Sequence, residues 1–146
     1  MKIWIRNQQK HILLDPKKLR RVANRVLSAL ALPEAELSIL LVDDVQIQDL
    51  NRRYLRRDKP TNVLAFSMRE GAFSLLHPQL LGDLVISVET ARRQSPRFGL
   101  EHLDMIVLLM IHGILHLVGY DHEGDRAEAQ RMTQKQKELL KIALKK

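Results

Sequence analysis

Three histidines fall within eleven residues of the chain, in the stretch HGILHLVGYDH from residue 112 to 122. His112 and His116 are four residues apart, so on an α-helix their imidazoles project from one face, one turn from each other. Gly119 stands where a helix can end in a left-handed residue, after which the chain can turn back and bring in His122. Three neutral imidazoles suit zinc and leave its fourth position to water, as in catalytic zinc sites.

The spacing also fits the zinc-binding pattern of metzincin proteases, H-E-x-x-H-x-x-G-x-x-H. The segment matches every fixed position except the second, where Gly113 replaces the glutamate. In a zinc peptidase that glutamate takes a proton from the attacking water, and glycine cannot do so. Either another residue acts as the base, or zinc alone activates the water. Phosphodiester hydrolysis suits the second alternative, because zinc and nearby arginines can stabilise the added negative charge. Gly113 is explained equally by close approach of a substrate and by helix packing.

The charge distribution points to a polyanionic partner. The 24 Lys and Arg residues outnumber the 17 Asp and Glu residues, which gives a formal charge of +7, and the positive residues are clumped. Such clumps favour nucleic acid or an acidic membrane surface, although a solvated surface explains them as well. One clump comprises Arg52, Arg53, Arg56, Arg57 and Lys59, and two others lie at residues 17–25 and 92–97.

Composition excludes several classes of site. The chain of 146 residues has no cysteine, which excludes disulfides, thiolate metal sites and a cysteine nucleophile and suits a reducing cytosol. Its first residues contain no uninterrupted apolar segment, so we predict no signal peptide. The run MIVLLMIHGILHLVG is too short to span a bilayer and predicts a buried helix. We therefore expect a cytoplasmic protein without a membrane partner.

The elements that must position the histidines follow from the hydrophobic pattern. KIWIRN, ELSILLV, NVLAFSM and GDLVISV are typical of strands, and a hairpin-length loop at residues 69–81 predicts that the last two are antiparallel. Helices are predicted after Asp15, after Asp43 with its capping partner Gln46, from Val88, over residues 100–118 and after Asp125. These elements predict a single α+β domain over residues 1–146, with about four strands in a mixed sheet packed with helices and the zinc site at the end of a buried helix. Asp83 either faces the metal cleft or caps a loop.

Three segments of the sequence resemble the conserved blocks of a known family. HGILHLVGYDH closely matches the H-G-x-L-H-L-x-G-Y-D-H signature of the YbeY family, bacterial rRNA maturation factors described as zinc-dependent, single-strand-specific endoribonucleases. LNRRYLRRDKPTNVLAFS and LGDLVIS agree with two further blocks of the family, in the same order. The resemblance extends from about residue 36 to the C-terminal helix.

The resemblance implies the chemistry and the partners. His112, His116 and His122 become the ligands of one Zn²⁺ per chain, and the metal helix lies beside a four-stranded mixed sheet. The implied activity is single-strand-specific cleavage of RNA in 16S rRNA 3′-end maturation and ribosome quality control. Small-subunit rRNA becomes the substrate, with ribosomal or assembly proteins as partners.

One position departs from the family pattern. Many relatives have an arginine directly after the tyrosine of the second block, where it is thought to help cleave RNA, and this chain has Leu55 there. We assign the catalytic role to the neighbouring Arg56, and RNA binding to Arg52, Arg53, Arg57 and Lys59. The alternative is that this arginine-rich helix end complements the helix dipole.

Two other functions fit parts of the sequence. A zinc metallopeptidase, or another zinc hydrolase, would explain the metzincin spacing, although Gly113 weighs against it. A non-catalytic ribosome-assembly factor with a structural zinc would explain the basic clusters without any catalysis.

Overall fold

The computed structural model describes residues 2–68, 79–120 and 125–145. Within them the chain forms four strands and five helices at the positions that the pattern predicts. The strands are β1 (Lys2–Asn7), β2 (Glu36–Val42), β3 (Val63–Ser67) and β4 (Leu80–Ser87). The helices are α1 (Pro16–Ala29), α2 (Asp44–Leu55), α3 (Val88–Phe98), α4 (His102–Leu117) and α5 (Arg126–Ala143).

The strands form one mixed sheet in the order β1-β2-β4-β3. β1 and β2 are parallel, as are β2 and β4, whereas β3 pairs with β4 in the antiparallel direction. The α+β class, the mixed sheet and the antiparallel last pair are therefore confirmed. β3 lies at one edge of the sheet, and the site described below is built beside it.

The alternation of side chains along the strands separates two layers. Leu37, Ile39 and Leu41 of β2 are buried in the main core with α1, α4 and α5. Val42 faces the opposite way and packs with Ile47 of α2 in a smaller cluster. Burying each leucine contributes about 1.5–3 kcal/mol. The helix that carries the histidines is therefore fixed on one face of the sheet, and α2 covers part of the other.

α4 is the buried helix that the apolar run predicts. Its residues from Met105 to Ile111 are all buried, whereas His112 and His116 near its end are only partly buried. Gly119 has a φ of 105° and ends the helix as predicted, with its N–H donating to the His116 carbonyl at 3.1 Å and that of Tyr120 donating to the Leu115 carbonyl at 2.9 Å.

Residues 2–68, 79–120 and 125–145 contain five helices. No single helix among them combines the length and apolar composition needed to cross a bilayer. α3 and α4 have the necessary length and apolar composition only when they are taken together, and their axes are bent by 102° at the break between them.

The starts of α2 and α3 are joined through one carboxylate. Asp44 accepts hydrogen bonds from the Ser87 and Thr90 hydroxyls, each at 2.6 Å, and from the Arg93 guanidinium at 2.7 Å. Burial by itself raises the pKa of Asp44, but hydrogen bonds from Arg93, Ser87 and Thr90 and the charge of Arg93 outweigh it, so that the pKa lies below its ordinary value. The ionised carboxylate therefore stabilises the fold.

This network gives stability an acid dependence. A carboxyl whose pKa is lowered by folding contributes fully above its unfolded pKa of about 3.9 and loses that contribution as the pH falls through the folded value. We expect Asp44→Asn to lower the free energy of unfolding by about 1–2 kcal/mol at neutral pH, because a charged hydrogen-bond acceptor is lost. The difference in free energy of unfolding between Asp44→Asn and the unsubstituted protein should become smaller below about pH 4. Urea unfolding at a series of pH values measures it.

Asp49→Asn is the matched control on the exposed side of the same helix. Asp49 pairs with Arg52 and Arg53, whose side chains are exposed, so the effect of its substitution should be small at every pH. A difference for Asp44→Asn that stays constant from neutral to acid pH would contradict a role for its charge.

Candidate metal centre

His112 and His116 face each other at the end of α4. Their Nε2 atoms are 3.2 Å apart, their ring centroids are 4.7 Å apart, and the rings are inclined at 73°. Both side chains are partly exposed on an otherwise buried helix. The spacing of four residues therefore does bring two imidazole nitrogens together on one accessible face.

The geometry of this pair fits a zinc ion. Two nitrogens that each lie about 2.0–2.1 Å from one tetrahedral ion are about 3.3 Å apart. The observed Nε2 separation of 3.2 Å is close to that value without any rearrangement. The third predicted ligand, His122, lies outside the described residues.

A glutamine of the last helix sets the proton on one imidazole. His112 donates from Nδ1 to Oε1 of Gln136 at 2.9 Å. An amide oxygen can only accept, so Nδ1 carries the hydrogen in this contact, and Nε2, which lies 3.2 Å from Nε2 of His116, is the nitrogen that would bind a metal. Such contacts orient the ligands of metal sites. Gln136 lies on α5 among the buried residues Met132, Leu139 and Ala143, and a polar residue in that apolar stripe was the signal that could have revealed it.

The two histidines lie on the wall of a cleft of about 840 Å³. α4 forms one side of the cleft, and the edge strand β3 and the chain that leaves α2 form the rest. The lining includes Asn51, Leu55, Arg57, Lys59, Val63, Ala65, Ser67, His112, Gly113 and His116. The candidate metal ligands and two positive side chains thus share one open space.

The predicted basic residues separate into two groups. Arg57 and Lys59 line the cleft. Arg52 and Arg53 do not line it, and they form ion pairs with Asp49 at 2.7 and 3.1 Å on the exposed side of α2. Both lie in the last turn of α2, where their positive charges complement the helix dipole, which is the alternative to RNA binding given above. The RNA-binding role of all four residues remains a prediction.

Arg56 ends α2 in an unusual backbone conformation. Its φ and ψ are 57° and 32°, the left-handed region that a side chain other than glycine adopts at a cost. It is not among the lining residues, whereas its neighbours Leu55 and Arg57 are. Leu55, where the family resemblance led us to expect an arginine, therefore faces the cleft, and the catalytic role of Arg56 remains a prediction.

Asn51 is a positioning residue that the sequence prediction missed. Its side chain is buried, and its amide donates to the Lys59 carbonyl at 2.9 Å. This bond holds the segment after α2 against the helix and so fixes the backbone from which Lys59 reaches the cleft. A polar residue on the buried face of α2, beside Ile47, was the signal that could have revealed it.

Gly113 has a packing role against the sheet. A Cβ at this position would lie 2.6 Å from Cδ2 of Leu84, and Leu84 is itself fully buried in β4. This contact is the helix packing considered for the glycine, and Gly113 also lines the histidine cleft, as close approach of a substrate requires. A glutamate at this position would therefore require the Leu84 side chain to shift.

A second group of possible ligands lies elsewhere in the fold. Ligand atoms of His11, Asp43 and Glu89 lie within 4.8 Å of one another. Both carboxylates already accept a backbone N–H at the start of α2, from Gln46 and Asp44 respectively, each at 2.8 Å. α2 has 12 residues, so this group and the cleft lie at opposite ends of a helix about 18 Å long.

Comparisons with known proteins agree with the sequence motifs. The family model described as Endoribonuclease YbeY matches residues 4–143. A protein from Geobacter metallireducens named Endoribonuclease YbeY is 45% identical over 143 residues, which cover 97% of this chain and 95% of that protein. One of the same name from Syntrophotalea carbinolica is 48% identical over 138 residues, covering 94% and 92%.

A solved structure supports the fold. The solution structure of TM1509 from Thermotoga maritima matches with a TM-score of 0.64 and 24% sequence identity, and the match covers 97% of this chain and 88% of that one. The family resemblance inferred from the motifs is confirmed. The enzyme class, endoribonuclease, is confirmed at the level of the family. The chain belongs to the Endoribonuclease YbeY family.

Proposed function

We propose that residues 1–146 form one zinc-dependent, single-strand-specific endoribonuclease domain, which acts in the cytoplasm in 16S rRNA 3′-end maturation and ribosome quality control. The observation that carries the proposal is the pair of Nε2 atoms 3.2 Å apart on the wall of a cleft that Arg57 and Lys59 also line. Family membership supports the RNA substrate, since the relatives are named endoribonucleases.

His112, His116 and His122 would hold one zinc ion per chain. When bound, zinc supplies a Lewis acid that polarises a phosphoryl oxygen and makes water more acidic. The hydrogen bond from His112 to Gln136 keeps the Nε2 lone pair directed away from α5. No glutamate is needed at position 113, because the substrate is a phosphodiester whose added charge the arginines can offset.

The basic residues bind and orient the RNA. Arg57 and Lys59 line the cleft and would contact phosphates inside it. Arg56 lies between the lining residues Leu55 and Arg57, and we propose that its guanidinium offsets the charge that develops during cleavage at the rim. A cleft of about 840 Å³ has the size of a small-molecule site, which suits a few unpaired nucleotides better than a duplex.

A substrate panel separates this function from its rivals. The zinc-loaded protein would be incubated with single-stranded RNA, duplex RNA and casein. We expect cleavage of the single strand only, reduced about 10-fold or more in Arg56→Gly and Arg57→Ala, because each removes a charged contact to phosphate. Arg53→Ala, which loses an arginine outside the cleft, should cleave nearly as well as the unsubstituted protein.

The other outcomes identify the alternatives. Cleavage of casein alone would favour a metallopeptidase. Tight binding of rRNA without cleavage of any substrate would favour a non-catalytic assembly factor with a structural zinc, with ribosomal or assembly proteins as its partners.

A further inference from the structure

The face of the sheet opposite to α4 carries a second depression, of about 790 Å³. α2 covers one part of this face and leaves the rest accessible. We call the depression the open-face groove. Its lining includes Trp4, Arg6, Ser38, Tyr54, Phe66 and Asp83. Phe66 of β3 and Tyr54 of α2 line the groove, whereas their neighbours Ala65 and Leu55 line the histidine cleft, so the two sites lie on the two sides of one edge of the fold.

The strand register places four of these residues in one row across the sheet. Trp4 pairs with Ser38, Ser38 with Asp83, and Asp83 with Phe66. Neighbouring strands are about 4.8 Å apart, so the two aromatic residues at the ends of the row are about 14 Å apart. Asp83 thus points into the groove, rather than into the metal cleft or a loop as the sequence suggested.

The aromatic side chains in the groove are accessible. Trp4 is 53% exposed and Tyr54 is 64% exposed, and both are large apolar groups that normally gain by burial. The Tyr54 and Phe66 rings meet edge to face, with centroids 5.5 Å apart, and form one platform beside β3. Trp4 forms a second platform at the other edge of the sheet, on β1.

The charges around these platforms suit a nucleic acid. Arg6 of β1 and Arg20 of α1 line the groove beside Trp4, and both are exposed. Asp83 stands between the platforms as an exposed acceptor, the group that receives hydrogen bonds from the amino groups of bases. Aromatic platforms with basic residues at the side are the arrangement by which proteins bind single-stranded nucleic acid.

The groove and the histidine cleft are separated only by β3 and the end of α2. Phe66 lines the groove, while Ala65 and Ser67 on either side of it line the cleft. In α2 the same division holds between Tyr54 in the groove and Leu55 in the cleft. One extended strand that passes over this edge could therefore occupy both sites.

We propose that the open-face groove binds single-stranded RNA, as a second segment of the strand that enters the histidine cleft. One base stacks on Trp4 and another on the platform of Tyr54 and Phe66. Arg6 and Arg20 contact the phosphates between them, and Asp83 accepts a hydrogen bond from a base. The proposal rests on the proposed ribonuclease function for the identity of the ligand, but the groove can be tested without any cleavage.

The tryptophan gives a direct measurement, because Trp4 is the only tryptophan in the chain. The zinc-loaded full chain would be titrated with a single-stranded RNA 12-mer whose phosphorothioate linkages resist cleavage, and with the matching duplex. We expect the single strand to quench the Trp4 fluorescence as a base stacks on the indole, and the duplex to have little effect. Binding of labelled RNA, followed by anisotropy, should weaken about 10-fold in Trp4→Ala and little in Trp4→Phe, which keeps a stacking ring.

Two further variants make the test specific. Arg6→Ala should weaken binding and lower the salt dependence of log K by about 0.7 for one lost phosphate contact. Leu13→Ala is the matched control, since Leu13 is a fully exposed apolar residue outside the groove, and it should bind RNA as the unsubstituted protein does.

The outcomes separate this proposal from the ribonuclease function. Quenching of Trp4 by the cleavage-resistant RNA, with no cleavage of an unmodified RNA of the same sequence, supports the groove and refutes the proposed activity. RNA that is cut, with unchanged fluorescence and unchanged binding in Trp4→Ala, overturns the groove alone. Quenching by a Lys- and Arg-rich peptide but not by RNA also overturns it, because the groove would then be a protein-binding site.

Discussion

His116→Ala should lose both zinc binding and cleavage of single-stranded RNA. The substitution removes one of the three proposed ligands, whose Nε2 lies 3.2 Å from Nε2 of His112, and two imidazoles cannot hold zinc with the affinity of three. Because a Lewis acid stabilises the transition state by several kcal/mol, we expect the rate of cleavage to fall by about 1000-fold or more. Zinc content per chain, measured by atomic emission after dialysis, should fall from one to near zero.

His11→Ala is the control that tests the location of the metal. His11 belongs to the group with Asp43 and Glu89 at the far end of α2, and its side chain is 60% exposed, so the fold should tolerate the change. We expect this variant to keep its zinc and its activity. Zinc lost in His11→Ala but retained in His116→Ala would move the metal to the other group. RNA cleavage that survives His116→Ala with no bound zinc would point to a contaminating nuclease and remove the mechanism.

The fold follows largely from local patterns in the sequence. Asp15 and Asp43 stand at helix starts and cap them through their own side chains, at Lys17 N–H and Gln46 N–H, which is a contact within three residues. The four strands likewise have apolar runs of strand length, and Gly119 ends α4 with a positive φ. In each of these signals the interacting residues are only a few positions apart in the sequence, so the local sequence is enough to recognise them.

The candidate site depends on contacts between distant segments, and these were only partly predictable. His112 and His116 come together because one helix carries both. Gln136 reaches His112 from a different helix 24 residues later, and no local pattern marks that pairing. A run of arginines likewise does not reveal which of them faces the cleft, since that depends on the direction of each side chain around α2.

The left-handed end of α2 explains why the arginine cluster divides as it does. The sequence offers no glycine at the end of α2, and the residue that ends the helix is Arg56. Arg56 takes the left-handed conformation, and the Arg57 N–H then donates to the Asn51 carbonyl at 3.2 Å. The chain reverses direction at Arg56, which brings Arg57 and Lys59 to the cleft and leaves Arg52 and Arg53 on the outer side of the helix.

Gln136→Leu should weaken zinc binding by about 10- to 100-fold, the usual effect of removing a group that orients a metal-ligating histidine. Leucine keeps a similar volume but cannot accept the Nδ1 hydrogen of His112. The imidazole can then rotate, or carry its proton on Nε2, and both changes remove the lone pair that faces His116. Competition against a chromophoric chelator measures the zinc affinity directly, without reference to catalysis.

Gln136→Glu separates orientation from packing, because glutamate restores an acceptor at the same place. We expect its zinc affinity to lie within a few-fold of that of the unsubstituted protein, or above it, because a carboxylate makes the imidazole a stronger ligand. Gln134→Leu repeats the substitution at an exposed position of α5 and should leave the affinity unchanged. Thermal unfolding of the metal-free proteins should be similar for all three variants. If Gln136→Leu binds zinc normally, or if Gln136→Glu is as weak as Gln136→Leu, the hydrogen bond to His112 does not set the geometry of the metal site.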